Sequence, residues 1–210
     1  MDTIGKIVYI NLEKRADRRA EIEGELKRMG LKGERFAAVE YIPGSVGCSL
    51  SHAAVVRAAA EEGVSSLLVL EDDFYWTVQS RAELDQRLRA LLAAVPDYDV
   101  IMFDYCVDKD LGPVAEGVGR VGETTTTSGY LVAGHYLDRL ATNFEEGARL
   151  FLQQPYIHWI FSVDVYWKRL QTDKWYYPAP RFGTQRDGFS DIGNNYKPNG
   201  YATQHLNTPK

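Results

Sequence analysis

The sequence predicts an α/β fold: one domain spanning residues 1–210, with a mainly parallel central sheet and a loop-rich C-terminal tail. Two observations predict it. Short β-branched and aromatic runs alternate along the chain with longer segments of helical character, which is the order of strands and crossover helices in parallel sheets. The chain has 210 residues, of which 45% are hydrophobic and 25% charged, and this size and composition suit one compact globular domain.

Five apolar runs predict strands, and four segments with helical patterning predict helices. The predicted strands are Lys6–Leu12, Arg35–Val39, Ser66–Leu70, Asp99–Tyr105 and Gly129–Ala133. The predicted helices are Lys14–Met29, Ser49–Glu62, Arg81–Ala94 and His135–Leu152. For the second helix, Ser49 or Ser51 is the expected N-cap and Gly63 the expected end. Pro, Gly and Asn accumulate after Tyr177, which predicts a tail from about residue 178 that folds over a ligand.

Composition excludes several classes of function. The net charge of −5 argues against a broad basic surface for nucleic acid or anionic lipid. The sequence has no apolar run as long as a membrane span, and its start lacks a signal-peptide pattern, so a cytoplasmic location is expected. Cys48 and Cys106 form no disulfide framework, and neither is expected to have a second Cys or a His at metal spacing. The 13 Tyr and 4 Trp residues suit a surface that stacks on sugars or bases.

The strongest local signal is the triplet Glu71-Asp72-Asp73, directly after the predicted strand Ser66–Leu70. Ligands bind beyond the carboxyl ends of strands in open α/β sheets. Adjacent carboxylates repel one another, and a divalent cation that bridges to a phosphate compensates that repulsion. The triplet therefore indicates a metal–phosphate site, with a solvated acidic turn as the alternative.

Two further motifs favour anion binding. Asn11 and Leu12 end the first predicted strand and are followed by the basic residues Lys14, Arg15, Arg18 and Arg19. Arginine forks match phosphate oxygens, although interleaved acidic residues also fit a solvated helix face. Gly47–His52 reads as a glycine turn into a helix, where Ser51 and His52 either contact a ligand or serve as a cap and a satisfied first-turn histidine.

Two isolated aspartates are candidates for a general base. Asp104 and Asp164 lie among apolar and aromatic residues, where a carboxylate is costly to bury unless it is paired. The alternative is a structural role, such as capping a backbone group or pairing with Lys168. In the tail, Gln185 and Ser190–Ile192 mark a polar point. The G-x-G-x-x-G match at Gly117, Gly119 and Gly122 lacks the strand and helix of a dinucleotide site and is predicted to be a flexible loop.

These segments, in this order, resemble family 25 glycosyltransferases, which include lipopolysaccharide-core galactosyl- and glucosyltransferases and collagen galactosyltransferase domains. The main similarities are to the family motifs V-I-N-L-x-x-R-x-x-R, R-F-x-A-V, G-C-x-L-S-H and E-D-D. They lie at Tyr9–Arg19, Arg35–Glu40, Gly47–His52 and Leu68–Asp73. Weaker similarities occur at Ser128–Ala133, Val163–Trp167 and Ser190–Ile192. The stretch Tyr41–Val46 is shorter than in those relatives, so the resemblance does not carry substrate specificity.

The resemblance implies a GT-A-like, Rossmann-like fold, a UDP-hexose or other nucleotide-sugar donor, Mn²⁺ or Mg²⁺, and inversion at the anomeric carbon. It implies that Asp73 and Asp72 hold the metal. The base is expected to be Asp164, with Asp104 as second choice. The implied nucleotide-sugar site comprises Asn11, Leu12, Arg15, Arg18, Ala37, Ala38, Ser51, His52 and Asp72.

The leading hypothesis is thus a metal-dependent glycosyltransferase that moves a hexose, galactose or glucose, to a hydroxyl of a free, lipid-linked or protein-linked glycan. This hypothesis includes a role in lipopolysaccharide or other glycan biosynthesis. A non-catalytic relative that binds a nucleotide sugar or a glycan is the alternative. Metal-assisted phosphate-ester hydrolysis ranks last, because such enzymes often use two metals and extra His or Asp ligands at short spacing.

Overall fold

The computed structural model describes residues 4–190, 192 and 195–197. In chain order its strands are β1 (Lys6–Asn11), β2 (Glu34–Ala37), β3 (Ser66–Glu71), β4 (Phe74–Trp76), β5 (Val100–Met102), β6 (Cys106–Ala115), β7 (Val118–Thr125), β8 (Gly129–Ala133), β9 (Trp175–Pro178), β10 (Gly183–Gln185), β11 (Gly188–Ser190) and β12 (Asn195–Lys197). Its helices are α1 (Ala16–Arg28), α2 (Gly44–Glu62), α3 (Arg81–Ala94), α4 (Leu137–Gln153), α5 (His158–Phe161) and α6 (Val163–Tyr166). Within this described part, no helix is long and apolar enough to cross a bilayer.

The described residues form an eight-stranded central sheet in the order β2-β1-β3-β8-β5-β9-β7-β6. Strand β1 pairs in parallel with β2 and β3, and β5 pairs in parallel with β9. Strands β8 and β7 run against their neighbours, so the remaining strands share one direction. The expectation of an α/β domain with a mainly parallel sheet is confirmed. The pairing of Ile10 with Glu71 brings the carboxyl ends of β1 and β3 side by side.

Both faces of the sheet are covered by helices. In β3, Leu67 and Val69 point into a core formed with α2 and α4, whereas Leu68 and Leu70 point into a second core formed with α1 and α3. All four side chains are fully buried. A strand that is buried on both faces has a continuous apolar sequence, which explains why Ser66–Leu70 was easy to predict.

Helix α2 begins earlier than predicted. It starts at Gly44, with Pro43 as its N-cap residue, so neither Ser49 nor Ser51 caps it. The end at Gly63 is confirmed, because this residue adopts a left-handed φ of 67°. Gly47 lies inside the helix rather than in a turn, and a Cβ there would come within 2.4 Å of the Val39 carbonyl oxygen. The glycine allows close packing of the helix against the preceding segment.

The glycines of the G-x-G-x-x-G match belong to a β-hairpin, so the prediction of a flexible loop was wrong. Gly117 turns the chain with a φ of 68°, and Gly119 and Gly122 lie in β7, which pairs with β6. The register between these strands is interrupted repeatedly, including around Pro113. Because the pairing is irregular, apolar and polar residues do not alternate with a period of two in this segment. The sequence therefore lacked the pattern that indicates a strand.

The first part of the tail pairs with the short strand that follows the acidic triplet, outside the central sheet. Beyond Pro178, the described residues form the short strands β10, β11 and β12. Strand β10 pairs with β4, so that Gln185 lies opposite Phe74, the residue after the acidic triplet. This pairing brings the tail to the carboxyl end of β3.

Candidate functional site

A cleft of about 740 Å³ opens at the carboxyl ends of β1 and β3. Side chains from the start of α2 and from the segment 38–43 form its walls. Carboxyl ends of adjacent parallel strands leave such a crevice, because the connecting segments diverge from the sheet there. The described residues that line it include Leu12, Arg18, Ala38, Ser51, His52, Cys48, Glu71, Asp72 and Ile192.

Asn11 joins three segments beneath the cleft. Its Nδ2 donates to Asp72 Oδ2 at 2.8 Å and to the Arg15 carbonyl oxygen at 3.0 Å. Its Oδ1 accepts from Arg35 Nε at 3.0 Å. The side chain is buried, so Asn11 positions Asp72 and the start of α1 from below the cleft floor.

Arg18 lies between the two aspartates of the triplet. Its Nη1 donates to Asp72 Oδ1 at 3.1 Å and to Asp73 Oδ2 at 3.2 Å. Burial, followed by the charge of Glu71, raises the pKa of Asp73 to about 7. Burial also raises the pKa of Asp72. Both shifts indicate that negative charge at this point is not fully compensated, even with the guanidinium in place.

The two predicted metal ligands differ in their surroundings. Both oxygens of Asp72 accept hydrogen bonds, one from Asn11 and one from Arg18. Asp73 Oδ1 has a weaker contact, with Gln185 Nε2 at 3.5 Å. Carboxylate oxygens are the donors that Mg²⁺ and Mn²⁺ prefer. The donor set therefore fits a divalent cation. Asp72 lines the cleft, whereas Asp73, which also accepts from Arg18, is not among the described lining residues.

His52 is enclosed and fully hydrogen-bonded. Its Nδ1 lies 2.8 Å from the Tyr130 hydroxyl, and its Nε2 lies 3.2 Å from Glu71 Oε1. Thr127 Oγ1 donates to the same Glu71 oxygen at 2.7 Å. Since His52 has no exposed surface, it orients Glu71 at the cleft wall.

Ser51 fixes the opposite wall of the cleft. Its hydroxyl donates to the Gly47 carbonyl oxygen at 2.7 Å and accepts from the Val39 backbone N–H at 2.8 Å. The side chain is buried in the interior of α2. The serine therefore holds the segment 38–41 against the helix.

The two candidate bases occupy different environments. Asp104 is fully buried and accepts hydrogen bonds from Arg181 at 2.8 Å and from Ser128 at 2.6 Å. Asp164 Oδ2 has one longer contact, with the Thr126 backbone N–H at 3.4 Å. Burial raises the pKa of Asp164, and the nearby charge of Glu71 adds to the shift. Neither aspartate is among the described residues that line the cleft.

Not every predicted binding residue reaches the cleft. Arg15 pairs with Asp17 at 2.8 Å, and Ala37 is at the exposed end of β2. Neither is among the described residues of the cleft lining. In the tail motif, Ile192 lines the cleft, whereas Asp191 lies outside the described residues.

The sequence prediction singled out Glu71 as part of the acidic triplet but missed that Cys48 lies beside it at one wall of the cleft. The expectation that neither cysteine has a histidine at metal spacing was wrong, because Cys48 and His52 lie one helical turn apart in α2. Their side-chain ligand atoms and a Glu71 oxygen all lie within 4.8 Å of one another. The i, i+4 spacing was visible in the sequence, but placing the helix start at Ser49 left Cys48 in a turn.

The comparisons with known proteins agree with these observations. No family model matches the chain. A glycosyltransferase 25 family member of Drosophila pseudoobscura pseudoobscura is 28% identical over an alignment of 129 residues, which covers 48% of this chain. This chain resembles family 25 glycosyltransferases. The alignment covers 20% of that relative, so the chain spans about a fifth of its length.

Two solved structures share the fold of this family-25-like chain. One is a glycosyltransferase involved in the glycosylation of the major capsid of PBCV-1, with a TM-score of 0.51, 11% identity, and coverage of 90% of this chain and 95% of the other. The second is A197 from STIV, with a TM-score of 0.50, 9% identity, and coverage of 91% and 92%. The expected GT-A-like architecture is thereby confirmed.

Proposed function

We propose that this chain is a metal-dependent glycosyltransferase that moves a hexose, galactose or glucose, from a UDP-linked donor to a glycan hydroxyl. The observation that carries the proposal is the Arg18–Asp72–Asp73 cluster, which lies beside a large cleft at the carboxyl ends of two parallel strands. The sequence similarity to a family 25 protein supports the same activity. Lipopolysaccharide or another glycan in the cytoplasm is the proposed context.

On the donor side, Leu12, Ala38 and the segment beyond it offer an apolar wall for a nucleotide base. Arg18 lines the same cleft. Its guanidinium can release a carboxylate and bind a diphosphate instead, because both groups accept paired hydrogen bonds from an arginine. Asn11 and Ser51 act from beneath the surface by fixing the cleft floor and wall.

Asp73, assisted by Asp72, would hold a bound Mn²⁺ or Mg²⁺. When bound, such an ion neutralises charge that develops on the departing diphosphate. The carboxylates of this chain set its position, and Asn11 and Arg18 fix the orientation of Asp72.

Asp164 is the proposed base. It would accept the proton of the acceptor hydroxyl as the hydroxyl oxygen attacks the anomeric carbon and the bond to the diphosphate breaks, which inverts the anomeric centre. Burial raises the pKa of this carboxyl, which brings a carboxylate closer to the range suited to proton transfer near neutral pH. The pairing of Asp104 with Arg181 favours Asp164 over the second candidate.

A thermal-shift screen tests the donor class. Purified protein is heated with UDP-, GDP-, CMP- and dTDP-sugars, with and without Mn²⁺. A donor at about 100 times its dissociation constant adds ~2.7 kcal/mol to the free energy of unfolding. We expect a rise in Tm with UDP-sugars that depends on Mn²⁺.

Two arginine variants test whether Arg18 contributes to donor binding in this screen. Arg18→Met is expected to lose most of the shift, whereas Arg149→Met, an exposed position in α4, retains it. The absence of a shift with every nucleotide sugar would contradict the donor assignment. A shift with a glycan alone would instead favour the non-catalytic glycan-binding alternative.

A further inference from the structure

Three side chains at one wall of the cleft form a cluster that the proposed transfer reaction does not use. Cys48 and His52 come from successive turns of α2, and Glu71 comes from the end of β3. One ligand atom from each lies within 4.8 Å of the other two. Thiolate, imidazole and carboxylate together are a ligand set for zinc.

The surroundings of His52 resemble those of a metal-bound histidine. A ligating imidazole usually bonds through its second nitrogen to a polar partner, which fixes the ring and the tautomer. Here the Tyr130 hydroxyl lies 2.8 Å from Nδ1. With a metal ion bound, Nδ1–H would donate to that hydroxyl and leave the Nε2 lone pair for the ion, in place of the hydrogen bond that Nε2–H donates to Glu71. Tyr130 is itself fully buried, so the ring is held in one orientation.

The spacing between the His52 and Glu71 ligand atoms suits a single small ion, and the third ligand atom lies within 4.8 Å of both. Zinc bonds of about 2.0–2.3 Å in a tetrahedron place neighbouring ligand atoms roughly 3.3–3.7 Å apart. His52 Nε2 and Glu71 Oε1 are 3.2 Å apart already. The hydrogen bond from Thr127 Oγ1 to Glu71 Oε1 supplies a second contact that orients a ligand.

We propose that Cys48, His52 and Glu71 bind one zinc ion, with the fourth coordination position open to the cleft. Cys48 and Glu71 are partly exposed at the cleft wall, so a phosphate, hydroxyl or water oxygen can reach the open position, while His52 lies buried behind them. The thiolate selects zinc over Mg²⁺ or Mn²⁺, which separates this site from Asp73. The proposal does not rest on the proposed function.

Titration of the full-length chain with Co²⁺ tests the site directly. Cobalt replaces zinc in tetrahedral sites and gives a thiolate-to-metal charge-transfer band. We expect that band to saturate at one Co²⁺ per chain and to disappear when one equivalent of Zn²⁺ is added. Binding is also expected to release the thiol proton to the buffer.

Matched variants assign the ligands. Cys48→Ser is expected to abolish the band and to weaken Zn²⁺ binding by about tenfold or more, as losses around metal sites typically do. Cys106→Ser, at the other cysteine, is expected to leave both unchanged. Asp73→Asn is expected to keep the cobalt band, which separates this test from that of the transferase site.

Glu71→Gln provides a second ligand variant if Cys48→Ser fails to fold, as judged by circular dichroism. It is expected to keep the thiolate band and to weaken Zn²⁺ binding. The absence of a thiolate band in the wild-type chain would overturn the proposal. So would an unchanged Zn²⁺ affinity in a folded Cys48→Ser variant.

Discussion

Replacing Asp73 with asparagine is expected to reduce kcat by about 10²–10³-fold, the size of loss seen when one electrostatic contact to the transition state is removed. The change preserves the shape of the side chain but removes the charge that would hold a metal beside the diphosphate. The measurement is release of nucleoside diphosphate from the best donor of the thermal-shift screen, followed over a Mn²⁺ titration.

Asp138→Asn is the matched control for this substitution. Its side chain is 84% exposed and pairs with Arg57 on the surface of α4, so kcat and its dependence on Mn²⁺ should not change. If Asp73→Asn retained wild-type turnover at every Mn²⁺ concentration, the metal assignment would be wrong. If the wild-type chain bound the donor but released no diphosphate, the non-catalytic alternative would stand.

Replacing Arg181 with methionine is expected to lower the free energy of unfolding by about 3–5 kcal/mol, because it leaves a buried carboxylate without its cationic partner. Asp104 is fully buried, and the guanidinium that lies 2.8 Å from it also lies over the Tyr105 ring. Urea denaturation at pH 7 measures the loss. Adding Asp104→Asn to the variant should recover much of it, since the buried charge is then gone.

The loss of unfolding free energy in Arg181→Met should increase as pH rises. Burial already raises the pKa of Asp104, and without Arg181 it will rise further. Below the unfolded-state pKa of about 3.9, the carboxyl is neutral in both states and carries no penalty. The penalty grows as pH rises from there toward the folded-state pKa. The difference between Arg181→Met and wild type should therefore be smaller at pH 4 than at pH 8; an equal difference would contradict this account.

Local sequence patterns predicted the elements that frame the cleft. The continuous apolar run of Ser66–Leu70 and the acidic residues after it indicated a strand end with a polar site. The contact between Asn11 and Asp72 could not be read directly, because it joins residues that are 61 positions apart. The parallel pairing of β1 with β3 creates it. The presence of acidic and amide side chains at the strand ends was predictable from local sequence. The hydrogen-bond partners of those side chains depend on which strands pair.

Other features were hidden by competing signals. The glycine at position 47 favoured a turn, although it is required by close helix packing, and this obscured the Cys48–His52 pair. The pairing of Asp104 with Arg181 depends on the path of the tail, which local patterns do not specify. Strand β8 was predicted correctly, but no local signal revealed that it enters the sheet in the antiparallel direction between β3 and β5.

The two edge strands of the central sheet limit self-association of the protein. Edge strands expose unpaired backbone N–H and C=O groups that can pair with a strand from another molecule. Strand β2 at one edge has four residues. Strand β6 at the other is interrupted by register shifts and contains Lys109 and Pro113. A short strand and a proline deprive an incoming chain of consecutive hydrogen bonds, and a charged side chain is costly to bury beneath an added strand. The sheet thus discourages edge-to-edge aggregation, the first step toward amyloid-like stacking.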